Sequence, residues 1–164
     1  MLKMSKIALI GAVAAAGMAS TAANAATATG TAEVDILSAI TLNRTATLDF
    51  GVVASSGAAG TVAIPTGSDT RTCSAAVTCV GAANRGAFEV SNTTAGYNVA
   101  VAVDASTSLT GPGTSMALSL TPSLTSFTTT ASPTTFYVGG TLSVGANQAA
   151  GTYTGTFNVT ANYQ

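Results

Sequence analysis

The chain has no histidine and no tryptophan, and only 7% of its 164 residues are charged. Without histidine it lacks the side chain most often used for general acid–base work, and its serines have no histidine base. A tetrahedral zinc site would need four ligands from two cysteines and scattered carboxylates. Both lysines, Lys3 and Lys6, fall in the first six residues. Beyond them only Arg44, Arg71 and Arg85 are basic, against Glu33, Asp35, Asp49, Asp69, Glu89 and Asp104. No basic patch exists for nucleic acid, and no run of like charge forms an interaction tail. Aromatics make up 5% of the chain, too few for the girdles of an outer-membrane barrel. No motif for an enzyme, a cofactor or a bound metal emerges. The tripeptide Asp49-Phe50-Gly51, which also occurs in kinases, has no phosphate loop or catalytic loop beside it and reads as a strand entering a turn.

What the chain does have begins with an export signal. A basic start, the apolar stretch Ile7 to Met18 and the ending Ala23-Asn24-Ala25 describe a signal peptide over residues 1–25. The apolar stretch is shorter than the roughly 20 residues of a membrane-spanning helix. The mature chain, Ala26 to Gln164, suits one domain with a net charge of −3. It is rich in Thr, Ser, Ala and Gly, yet its hydropathy is positive and its charge low, the reverse of a disordered composition. An almost uncharged surface suits a protein packed against copies of itself. In an exported chain the two cysteines, Cys73 and Cys79, read as a disulfide. Five intervening residues are too many for a thioredoxin-like pair, and closing so short a loop contributes about 2 kcal/mol.

The dominant period is two, which predicts an all-β fold. Apolar residues alternate in Leu48-Phe50-Val52, Phe88-Val90, Val99-Val101-Val103, Met116-Leu118-Leu120, Phe136-Val138 and Leu142-Val144. Val34, Ile36 and Leu42 mark a less regular first strand region, and Ala54 to Arg85 reads as a long loop holding one or two short strands, such as Thr61 to Ile64. Turn signals such as Gly111-Pro112-Gly113 recur between the runs, at a spacing that favours a sandwich or barrel. The longest pattern is the last. Tyr153, Gly155, Phe157, Val159, Ala161 and Tyr163 share one face, with Thr and Asn on the other, predicting a strand of roughly 40 Å. Its three aromatics and Val159 would contribute about 6–12 kcal/mol if fully covered, as much as a whole domain's stability.

This ending resembles that of chaperone–usher pilins, which carry a penultimate aromatic and a Gly fourteen residues from the end. Tyr163 and Gly151 occupy those positions. Leu48-Asp49-Phe50-Gly51 and Gly151-x-Tyr153-x-Gly155-x-Phe157 also look like a bacterial domain-of-unknown-function family of small exported proteins, itself similar to spore coat protein U. The resemblance implies an immunoglobulin-like β-sandwich over residues 37–164 that lacks its last strand. A periplasmic chaperone would fill the gap and grip the Gln164 carboxylate; at an outer-membrane usher the next copy's N-terminal strand would then replace it. The candidate donor is the segment 26–36, where Ala28, Gly30, Ala32, Val34 and Ile36 share a face. The expected function is that of a structural subunit of a surface fimbria, with no enzymatic activity, no small-molecule cofactor and no nucleic-acid partner. The rival readings are an exported coat or biofilm protein and a carbohydrate- or receptor-binding adhesin module with a complete sandwich.

Overall fold

The structure is a computed structural model in which residues 25–164 are described. Apart from Ala25, the expected signal peptide lies outside the described residues. These divide into a unit ending at Val34 and a second unit, Asp35–Gln164. In the first, residues 25–34 are exposed and none is in a strand.

The second unit is an all-β sandwich, and the described residues contain no helix. In chain order its strands are β1 (Thr41–Ala46), β2 (Val52–Ser55), β3 (Gly60–Ile64), β4 (Thr72–Cys73), β5 (Val77–Val80) and β6 (Gly86–Ser91). Then come β7 (Asn98–Val103), β8 (Ser106–Leu109), β9 (Met116–Pro122), β10 (Ser126–Thr128), β11 (Thr134–Val144) and β12 (Val159–Tyr163). Every pairing is antiparallel. The larger sheet runs β1-β6-β11-β3-β4, with β9 also on β11 and β8 on β9. The second sheet runs β10-β7-β12, and β2 and β5 form a two-stranded ribbon.

β11 organises the larger sheet. Thr134–Val138 pairs with β6 and Gly140–Val144 with β3, while Val138–Leu142 pairs with β9. Because Val138 serves both β6 and β9, and Leu142 both β3 and β9, β6 and β3 share one edge and β9 takes the other. Phe136 and Val138 are fully buried, and the Phe136 ring stacks on Phe88 with centroids 5.6 Å apart. The alternation in β7 and β9 buries Val99, Val101, Met116, Leu118 and Leu120, as their period requires.

Upstream of the C-terminal segment, the structure departs from the sequence reading in four places. Phe136-Val138 and Leu142-Val144 belong to one strand, joined through Gly139-Gly140. The loop from Ala54 to Arg85 holds three strands, β3, β4 and β5. Val34 and Ile36 lie outside the first strand, which starts at Thr41. The alternation through Leu48, Phe50 and Val52 breaks at Gly51: Phe50 is buried, Val52 points outward and Val53 takes the inward place.

Candidate functional site

One long side of the sandwich is open. β12 is hydrogen-bonded to β7 along one edge, and among the described residues no strand pairs with its other edge. β1 likewise has only β6. The apolar side chains flanking this gap are only half-buried, among them Ile40, Leu42 and Leu48 on one side and Tyr153, Phe157 and Val159 on the other. At one end the gap widens into a cleft of ≈ 860 Å³, walled by residues 47–55 and 148–157. Its floor is Met116 and Leu118 of β9 with Leu142 and Val144 of β11. Asp49 is the one charged side chain in the lining, and its Oδ1 already accepts the Gly51 N–H at 2.8 Å.

The first wall depends on a corner. The chain leaves β1, makes a reciprocal backbone pair between Asp49 and Asn84 (2.8 and 2.9 Å), buries Phe50 and turns at Gly51. Gly51 has φ +67°, the left-handed region that Gly enters without steric cost. The Arg71 guanidinium closes the corner by donating to the Phe50 carbonyl and, at 3.0 Å, to that of Gly81. This turn reverses which residues face inward, so β2 continues as the cleft wall. The ribbon is moored to the larger sheet by the Cys73–Cys79 disulfide (Cα–Cα 6.4 Å), which joins β4 to β5, with Cys79 opposite Val53.

The second wall is the C-terminal segment. The expected unbroken strand over Tyr153–Tyr163 is shorter as a strand: β12 covers Val159–Tyr163. Upstream, Thr154 makes an isolated bridge to Thr110, and the Thr156 carbonyl accepts the Thr107 hydroxyl at 2.8 Å. The segment therefore leans first on β8 and its flank and then on β7, and this change of neighbour interrupts the ladder. The alternation in exposure survives it. Tyr153, Phe157, Val159, Ala161 and Tyr163 are half-buried and their even-numbered neighbours exposed. Of these residues Gly151, Tyr153, Gly155 and Phe157 line the cleft.

Gly151 and the two tyrosines have roles that alternation did not disclose. Gly151 has φ +145°, and a Cβ there would lie 2.5 Å from Pro112 Cγ. The Tyr153 hydroxyl accepts the Gly113 N–H (2.9 Å) and Gln148 Nε2 (2.8 Å) and donates to the Ala149 carbonyl (3.0 Å). The Tyr163 hydroxyl accepts the Thr94 N–H (2.8 Å) and donates to the Ser38 carbonyl (3.1 Å). Tyr163 thus draws the approach to β1 onto the end of β12. Only a smaller depression of ≈ 370 Å³ remains there, lined by residues 37–40 and 161–163. Tyr163→Phe should cost about 1–2 kcal/mol in urea unfolding, since it leaves the Thr94 donor without its partner. A loss indistinguishable from zero would show that the bridge does not hold the two ends together.

Ala28, Gly30, Ala32, Val34 and Ile36 are exposed and outside any strand, Val34 by 80% and Ile36 by 88%. The molecule is thus a β-sandwich with an apolar cleft on its open side. The chain belongs to the family described as Domain of unknown function (DUF4402), which it matches over residues 40–163. Comparison with curated proteins and with solved structures returns no match.

Proposed function

We propose that this protein is an exported structural subunit of a surface fibre, an immunoglobulin-like domain completed by a strand from another molecule. The reading rests on the apolar cleft walled by the segment 148–157, which leads into β12, a strand whose outer edge is unpaired. An exposed strand edge over an uncovered core is a template for a further strand. A strand running from the β12 edge along the segment 148–157 would satisfy the β12 backbone at one end and place side chains on Met116, Leu118, Leu142 and Val144 at the other. The segment 26–36 has the matching form. Ala28, Gly30, Ala32, Val34 and Ile36 alternate with polar residues, and burial of Val34 and Ile36 contributes about 1.5–3 kcal/mol each. The near-absence of charge in the cleft suits such a strand better than a polar ligand.

Before assembly a periplasmic chaperone would occupy the same edge, and an usher would exchange it for the next copy's segment. The likeness of Gly151 and Tyr163 to the ending of chaperone–usher pilins supports this route. The test is a synthetic peptide of residues 26–36 added to the dilute mature chain. At a hundredfold excess over its dissociation constant the peptide stabilises by about 2.7 kcal/mol, which raises the melting temperature by about 10 °C. The same peptide carrying Val34→Asp should have no effect. Equal melting temperatures with both peptides at millimolar concentration would reject the proposal.

A further inference from the structure

Strand exchange of this kind leaves little slack between neighbouring bodies. The donor face ends at Ile36, and the sandwich is already fixed at Ser38. There the N–H donates to Thr94 Oγ1 at 2.8 Å and the carbonyl accepts the Tyr163 hydroxyl. Only Leu37 lies between. One residue spans about 3.3–3.6 Å, so a copy whose Ile36 is inserted here must have its body against the end of the gap where Ile36 lies.

Side-chain size selects that end. The large apolar residues of the segment, Val34 and Ile36, are at its C-terminal end, and Ala28, Gly30 and Ala32 precede them. The room is at the end walled by residues 47–55 and 148–157, while Tyr163 pulls the opposite end together. Matching large side chains to the wide end sets Ile36, and the body that follows it, beside β2.

An unexplained apolar surface lies there. Val52 and Val80 stand directly opposite each other in the β2–β5 ribbon, exposed by 66% and 57%. The next outward pair, Ala54 and Thr78, is exposed and uncharged. Val52 also belongs to the rim of the cleft, so the patch continues the surface that the inserted strand covers. We infer that the outer face of the β2–β5 ribbon is a second contact between copies of this chain, taking the body of the donor subunit around its own Leu37. The inference rests on the strand-exchange reading and adds a partner surface to it. The two faces differ, so the contact is head-to-tail and propagates as an open fibre. A patch this small suffices because the inserted strand already holds the two bodies together at high effective concentration.

The test uses the full mature chain with Val80→Asp, at a position outside the cleft lining. The variant should melt within a few degrees of wild type and bind the labelled peptide 26–36 within twofold of wild type. Its polymers, sized by electron microscopy, should be roughly three- to tenfold shorter, since mean length follows the square root of an affinity lowered about 10- to 150-fold by the loss of one buried valine side chain. Val80→Ile should polymerise like wild type. Normal peptide binding with polymers of wild-type length would overturn the inference and leave the strand-exchange reading standing. Peptide binding lost in the variant alone would also overturn it, since Val80 would then act through the cleft wall. Failure of wild type to bind the peptide would remove the reading and the inference together.

Discussion

Under the strand-exchange proposal, a mature chain carrying Val34→Asp is expected to stay monomeric at concentrations where the wild type would polymerise. The substitution removes a side chain worth about 1.5–3 kcal/mol on burial. It also sets a carboxylate against a floor of Met116, Leu118, Leu142 and Val144, where the lining offers no cation. An unpaired buried charge costs several kcal/mol more. Together these exceed about 4 kcal/mol, or about a thousandfold in the affinity of one copy for the next. The domain itself should be unaffected, since Val34 is exposed in the free chain and belongs to no strand. The variant also keeps its own cleft, so it can still accept a wild-type segment. Mixed with wild type it should therefore cap growing fibres, shortening them in proportion to its share. Asp35→Asn, on the opposite face of the segment, should polymerise normally. Size-exclusion chromatography of the three chains and of the mixture decides the matter. Polymers from Val34→Asp alone, as long as those of wild type, would exclude the segment 26–36 as donor.

The parts of this fold that were legible in the sequence are those where one face of a strand is buried along its whole length. β7 and β9 are of that kind, because burial against a core imposes a two-residue period whatever the partner strand. β11 was harder to read. Gly139 and Gly140 bear no side chains to continue the pattern, so one strand looked like two. The C-terminal segment erred in the other direction. Its alternation records only that an extended chain keeps one side toward the core, and Tyr153 to Tyr163 does so. Whether a continuous hydrogen-bonded ladder forms depends on neighbours remote in sequence, and those change from the flank of β8 to β7 along the way. For the cleft, Gly151, Tyr153, Gly155 and Phe157 carried a signal through position and period. The opposite wall did not. Asp49-Phe50-Gly51 reads as a strand entering a turn, but the reversal of faces at Gly51 depends on Arg71, twenty residues away. An arginine in a loop of small polar residues carries no mark of the carbonyls it will meet.

That corner makes Gly51→Val a severely damaging change within the sandwich. At φ +67° an L-residue incurs about 1–2 kcal/mol, and a β-branched one more. The new side chain would also run into the Ala82 carbonyl and the Arg71 guanidinium, which lie on the side where its Cβ must point. Relieving the clash means withdrawing Arg71 from the Phe50 carbonyl, and a charge-assisted hydrogen bond of this kind contributes about 1.5–3 kcal/mol. The sum is roughly 3–5 kcal/mol, a large part of a domain stability of about 5–15 kcal/mol. Urea unfolding should therefore show a midpoint far below that of wild type. Gly57→Ala is the matched control, since a Cβ there meets nothing within 4 Å and φ is not positive. Because the same corner aims β2 along the cleft, whatever Gly51→Val protein remains folded should bind the peptide 26–36 more weakly than wild type does. A loss of less than about 1 kcal/mol with undiminished peptide binding would mean that the wall is held without the corner. The disulfide and the β2–β5 pairing would then have to position it alone.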